Sequence, residues 1–534
     1  MKFLEVLRQY SQRTSRQQAI QRLSASDSGW VSWSRIWQDV QTTVTVLRQL
    51  GVQQGNRVGI LAGNSLAWIL VDLACHQLHA VSVPLNTDLS QAQLEQQIQH
   101  AGISLLFISP NGFPKVSSLS QIPIVTTGMR HDEYDLSGLL ILGEFDEFLA
   151  MARGEEIALQ IPAPSPHRIA SIVYTSGTTG ESKGVMLTED NLVFNAEMAL
   201  ARYQFDEETH QFNFLPFFHA FGRTCDLYVW LLGGHRITLA SDRQQAAVEV
   251  AQVSPTHING VPYFFEKLKA LCLPETNLHD GLGSSLTQIN SGGAALNSDT
   301  YAFFEEQSVA VLEGYGLTET SPVAALNGRD LTRAGSVGTA IDQTTMVISQ
   351  QNEVLIQGRH VCAGYYRDQQ ATNELIQDGW LQTGDLGVID EDGFLFLTGR
   401  KGDLIVTSGG HNIWPHVIES LLEEHIGIEQ AIVFGDRKRY LVAILFPNWS
   451  YFADNVDVSG TSDHWKDSPN VERWFQNLVD RILESRARYE RIGKLALLSQ
   501  PLTADKEQLT VKGTLRRVAI KEQFADILDR LYSS

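Results

Sequence analysis

The chain has 534 residues, with 41 Lys and Arg against 61 Asp and Glu, for a formal net charge of −20. A composition of 43% hydrophobic and 19% charged residues, with 42 Gly and 16 Pro, is that of a folded protein of roughly two to four domains, and it excludes a disordered chain or a fibrous repeat. Such a negative chain repels nucleic acid and anionic lipid at long range, so no nucleic-acid partner and at most peripheral membrane association are expected.

From the N-terminus, Met1 to Glu5 carries an acid where a secretory segment would be apolar. Helix-like and strand-like stretches then alternate, with a polar turn at 24–29. A short buried strand is predicted at 57–61, a helix at 65–75 and another strand at 80–84. The stretch from Leu66 to Leu85 holds Asp72, His76, Gln77 and His79, too polar to cross a bilayer, and a cytoplasmic location is expected. Pro162, Pro164 and Pro166 mark an extended linker before a strand at 169–174, and further strands are predicted at 212–215, 235–240, 256–258, 288–290 and 394–397. Alternation of this kind implies βαβ units and parallel sheets, an α/β fold. A boundary near 399–402 divides a large N-terminal domain, 1–400, from a smaller α+β domain, 401–534. Cys75, Cys225, Cys272 and Cys362 are widely spaced, which favours reduced core thiols over a disulfide framework or a zinc site.

The charge is divided unevenly. The first 400 residues carry 24 basic and 42 acidic side chains, and the remainder 17 and 19. Within that remainder, 481–521 holds ten basic and four acidic residues, a local excess expected to face the active cleft.

The strongest local feature is Tyr174-Thr175-Ser176-Gly177-Thr178-Thr179-Gly180-Glu181-Ser182-Lys183-Gly184, directly after a predicted strand. Glycines let backbone N–H groups approach an anion, hydroxyls donate to phosphate oxygens, and Lys183 adds a cation. A Walker loop needs Gly-Lys-Ser/Thr, and here Ser182 precedes Lys183 and Gly184 follows it, so that match fails.

This loop resembles the phosphate loop of the adenylate-forming superfamily of acyl-CoA synthetases, luciferases and peptide-synthetase adenylation domains. Ser291-Gly292-Gly293-Ala294-Ala295-Leu296 and Glu313-Gly314-Tyr315-Gly316-Leu317-Thr318-Glu319-Thr320 are similar to its adenine-side loop and acid-bearing strand end. Thr383-Gly384-Asp385, Gly399-Arg400-Lys401-Gly402-Asp403 and 408–413 resemble its ribose-binding aspartate, hinge and small-domain loop. Leu215-Pro216-Phe217-Phe218-His219, 311–322 and 489–492 look most like bacterial long-chain fatty acyl-CoA synthetases, segments that acyl carrier protein synthetases share.

The resemblance implies ATP, Mg²⁺, a fatty acid and CoA as ligands, with acyl carrier protein as the alternative acceptor. Glu319 becomes a hard oxygen ligand for Mg²⁺ with Thr175 as hydroxyl partner. Asp385 accepts from the ribose hydroxyls, Arg400 donates a fixed fork of N–H groups, and Tyr315 offers a ring to adenine. His219, inside an aromatic run, is either a wall of the acyl pocket or a packed core residue. Gly402 is the expected hinge, and Gly409, Gly410 and His411 lie on the CoA side. One departure stands out: Thr514 occupies the position of the family's adenylation lysine, and Lys512 lies two residues early. Either Gly513 lets Lys512 slip into place or the first step is weakened, leaving an ATP- or acyl-binding homologue.

Overall fold

The computed structural model describes residues 2–13, 18–23, 29–116, 119–152, 161–163, 165–176, 182–272, 285–456, 462–500, 502, 508 and 515–533. The chain forms two compact units. One comprises Met1–Val347, Leu355–Gln382 and Asp390–Leu395; the other comprises Ile348–Val354, Thr383–Ile389 and Phe396–Ser534.

The larger unit contains two sheets. In the seven-stranded sheet the order is Ile141–Glu144, Ile124–Thr126, Leu105–Ile108, Arg57–Leu61, Val81–Pro84, Ile169–Ser176 and Ser182–Thr188. The first six run parallel and the last returns antiparallel to its neighbour. Strands such as Val81–Pro84 and Leu105–Ile108 are buried throughout, as continuous apolar runs in a helix-covered parallel sheet must be. Helix Leu66–Leu78 starts where the Ser65 side chain accepts the Trp68 N–H and stops at left-handed His79.

The eight-stranded sheet begins with Ile20–Arg22, a short strand paired in parallel with Arg236–Leu239. It continues through His210–Asn213, His257–Gly260, Gln288–Gly292 and Ala310–Gly316, then turns antiparallel at Val323–Leu326 and Thr339–Ala340. The strand expected at 212–215 lies at 210–213 instead. The Leu215 carbonyl is taken by the Asn64 and Asn213 side-chain amides, at 2.7 and 3.0 Å, rather than by a ladder partner.

On three neighbouring strands, His210–Asn213, His257–Gly260 and Gln288–Gly292, one face carries mostly amides, bordered by the aliphatic Ile237, Leu239 and Leu312 of the flanking strands. Asn259 and Asn290 are in register, and Gln211, Asn213 and Gln288 accompany them, all buried. They surround Asp226, whose Oδ1 accepts from Gln211 at 2.5 Å and Asn259 at 2.6 Å and whose Oδ2 accepts from Asn213 at 2.5 Å. The flanking apolar core includes Phe212, Ile258, Ile289 and Val311.

The smaller unit packs helices Pro415–Glu423 and Pro469–Ile482 on a three-stranded sheet, Ile428–Phe434, Leu441–Pro447 and Ile492–Leu497. Mixed sheets with covering helices in one unit and a separate C-terminal α+β unit form the expected α/β architecture. Cys75, Cys225 and Cys362 are buried and Cys272 half-buried, all as free thiols. Among the described residues no helix is long and apolar enough to cross a membrane.

Candidate active site

Strands Ile169–Ser176 and Ser182–Thr188 form a hairpin in which Thr175 pairs with Lys183. Gly177, Thr178, Thr179 and Gly180 lie outside the described residues, as does Lys512; of Ser176 only the backbone is described. A later segment runs along the hairpin: Ala363 and Tyr366 donate N–H groups to the carbonyls of Met186 and Gly184, at 2.9 and 2.7 Å. This places the Tyr365 ring under the Lys183 ammonium, 5.0 Å from ring centre to Nζ.

Glu319 sits in the short turn Thr318–Thr320 that follows strand Ala310–Gly316. The turn is locked by Thr320, whose Oγ1 accepts the Leu317 N–H at 2.9 Å, and Thr318 is buried. Gly316 is obligatory here, because an added Cβ would stand 1.7 Å from the Pro322 carbonyl oxygen. The half-buried Glu319 side chain accepts the Tyr365 phenol O–H on Oε1 at 2.7 Å, and the Glu319 carbonyl accepts the Cys362 N–H at 2.8 Å. Tyr365 thus joins the two charged residues that the sequence pointed to, Lys183 and Glu319. It was missed because nothing local marks a tyrosine 46 residues downstream as the partner of that acid.

The segment that resembles the family's adenine-side loop follows strand Gln288–Gly292. Gly292 is buried, in register with Gly314, and a Cβ on it would meet the Phe221 ring at 3.3 Å; Gly293 and Ala294 are exposed. Leu296 donates its N–H to Glu313, whose carboxyl is pushed up to about 7 by burial, and Tyr315 is buried on the same strand.

His219 is half-buried, beside the Phe218 ring at 5.6 Å. Its carbonyl accepts the Arg223 N–H at the start of a π-helical stretch, Gly222–Tyr228. The Arg223 side chain is buried, ion-paired with Asp72, and donates to Ser171 Oγ at 2.6 Å; Ser171 lies on the strand that leads to Thr175. Burial opposes the Asp72 charge, but the guanidinium beside it prevails and holds the carboxyl below the usual range. A buried ion pair therefore braces the His219 segment against strand Ile169–Ser176.

In the smaller unit, buried Asp385 pairs with Arg400 at 2.6 Å. Beside them Glu353 accepts the Gly384 N–H at 2.9 Å and pairs with Lys401 at 3.1 Å. Gly402 lies in the turn Lys401–Asp403, where an added Cβ would meet nothing within 4 Å. Gly409, Gly410 and His411 form the loop between Ile405–Val406 and Asn412–Ile413, and the His411 ring stacks on Tyr489 at 4.1 Å and 4°. Of the basic stretch 481–521, Arg517 is committed inside this unit, bound to Glu419 and 3.6 Å from Asp403.

The pattern of the AMP-binding enzyme family matches residues 7–366, and that of the AMP-binding enzyme C-terminal domain matches 402–534. A long-chain-fatty-acid–CoA ligase of Bacillus subtilis is 31% identical over 72% of this chain and 74% of its own length. The long-chain-fatty-acid–CoA ligase FadD15 of Mycobacterium bovis is 28% identical over 95% of both chains. Among solved structures, the anthranilate CoA ligase AuaEII with anthranoyl-AMP superposes with a TM-score of 0.81 at 20% identity, covering 99% of this chain and 98% of its own. The two family patterns together span most of the sequence and the relatives match along its length, and the chain belongs to the AMP-binding enzyme family as an AMP-forming acid–thiol ligase.

Proposed function

We propose that the chain activates a long-chain fatty acid with ATP, releasing pyrophosphate, and then transfers the acyl group from acyl-AMP to the CoA thiol. The observation that carries this reading is the junction at Tyr365, which ties the hairpin of Thr175 and Lys183 to the Glu319 carboxylate. A hydroxyl, a cation and a hard carboxylate, with the glycine-rich sequence 177–180 between the two strands, suit a triphosphate. Loop residues 175–180 and Lys183 hold the phosphates, 292–294 and 314–318 frame the adenine, and Asp385 with Arg400 receives the ribose.

Among the described residues no group of three or more His, Cys, Asp or Glu could hold a metal alone. Mg²⁺ that arrives with nucleotide needs no such cage, since one carboxylate and the phosphates suffice, and Glu319 with Thr175 fits that donor set. When bound, the ion offsets charge that builds on the phosphates. The substrate carboxylate attacks the α-phosphorus and the bond to pyrophosphate breaks; Lys512 supplies the cation that this charge needs. The thiolate sulfur of CoA then attacks the acyl carbonyl and AMP leaves.

The aromatic run 217–221 and the fatty-acid ligase relatives support an apolar acid, with His219 as a pocket wall. Gly402 supports a swing of residues 401–534 against 1–400: its surroundings leave a side chain room, so the present turn does not explain the glycine. His411 with Gly409 and Gly410 would serve the CoA side.

ATP–pyrophosphate exchange with a panel of fatty acids tests the first step. Robust exchange that Lys512→Ala abolishes is expected; ATP binding without exchange for any acid would refute the synthetase reading. Products formed with CoA or with holo-acyl carrier protein identify the acceptor.

A further inference from the structure

Glu319 stands on a three-residue turn, and a glutamate side chain so placed can point several ways. The structure holds it at two points, both from one short segment. The Cys362 N–H binds its carbonyl at 2.8 Å and the Tyr365 phenol binds Oε1 at 2.7 Å. Tyr365 is itself fixed. Its N–H donates to Thr372 Oγ1 at 2.9 Å, and its backbone makes antiparallel bridges to Val185 of the phosphate hairpin and to Asp368. Its half-buried ring lies 5.0 Å from the Lys183 ammonium, within cation–π range.

We propose that Tyr365 is the positioning residue for the metal-side carboxylate: its hydroxyl fixes Oε1, turns Oε2 toward the nucleotide, and sets the spacing between Glu319 and Lys183. This rests on the proposed reaction, in which Glu319 meets the metal carried by ATP. A residue that orients a ligating carboxylate is typically worth ten- to a hundredfold in metal affinity. The phenol is not itself a ligand or an acid catalyst, so its removal should act on the metal and spare the nucleotide.

The test uses full-length protein with Tyr365→Phe, which keeps the ring and its contact with Lys183 and removes one oxygen. Free Mn²⁺ is followed by electron paramagnetic resonance during titration with a non-hydrolysable ATP analogue, and binding of the metal-free analogue is measured in EDTA. The expected result is Mn²⁺ affinity weaker by roughly tenfold or more, with metal-free nucleotide affinity within about twofold and an unchanged thermal midpoint. Tyr365→Leu, which also loses the ring, should weaken Mn²⁺ binding as well and additionally loosen metal-free nucleotide through Lys183. Equal Mn²⁺ affinity in wild type and Tyr365→Phe would overturn the inference. So would loss of metal-free nucleotide binding in step with Mn²⁺ binding, because that marks a general structural role. Failure of pyrophosphate exchange in the wild type, with the Mn²⁺ effect intact, would refute the proposed reaction and leave the positioning role standing.

Discussion

Asp226 offers a quantitative test of the buried amide row. Its carboxyl is fully buried, receives three amide N–H groups, and takes part in none of the ion pairs found among the described residues. Burial dominates and pushes it up to about 7, against the partial relief of its hydrogen bonds from Asn213, Asn259 and Gln211. An aspartate in the unfolded chain titrates near 3.9. Between those values the folded state holds a proton that the unfolded state has lost, so stability falls as pH rises from about 4 toward 7 and beyond. Passing from pH 6 to pH 8 through a folded value of about 7 removes roughly one decade, or about 1.4 kcal/mol. A unit of roughly 380 residues unfolds with an entropy near 0.8 kcal/mol/K, so the shift is about 2 °C. Asp226→Asn cannot titrate. It also turns an amide NH₂ toward amides that already donate, which costs about 1–3 kcal/mol at low pH. Differential scanning fluorimetry of both proteins from pH 6 to 8 is the assay, with Glu313→Gln as a control because Glu313 also sits near 7. The wild-type midpoint should drop by about 2 °C more than that of Asp226→Asn over this range. Parallel pH curves would refute the reasoning.

Removing one member of the buried Arg223–Asp72 pair, as in Asp72→Ala, should cost about 3–5 kcal/mol in chemical denaturation, since the guanidinium would be left buried and unpaired. A loss under 1 kcal/mol would mean that water reaches the site. Asp385→Ala should raise the KM for ATP roughly ten- to a hundredfold, as expected for losing hydrogen bonds to a charged group, with the KM for the acid unchanged in exchange assays. Gly402→Pro, which fixes φ, should slow thioester formation far more than pyrophosphate exchange; equal slowing of both would remove Gly402 as the hinge. Under native conditions half-buried Cys272 should react first with a thiol reagent. Burial pushes the Cys75 thiol well above its ordinary value and that of Cys225 up to about 12, so both stay protonated, and their labelling at the same rate as Cys272 would contradict the packing.

The sequence by itself pointed to the parallel core, because strands such as Arg57–Leu61 and Val81–Pro84 are short, mainly apolar stretches alternating with helical ones, as in βαβ units. It also marked the strand before the glycine- and hydroxyl-rich segment, while the return strand Ser182–Thr188 that makes a hairpin of it is seen only in the structure. Tertiary structure decided the partners. Tyr365 reaches Glu319 across 46 positions and Arg223 reaches Asp72 across 151, and no local pattern encodes which polar side chain meets which. The amide row reads in sequence as polar residues alternating with apolar ones, the signature of a strand with one wet face. Only the register of neighbouring strands shows that this face is dry and that its amides converge on one carboxylate. Arg517 likewise counts as a free cation in the basic stretch until Glu419 and Asp403 fold against it. Short-range geometry is written in residue order, whereas the charge state and direction of a side chain depend on what the fold packs around it.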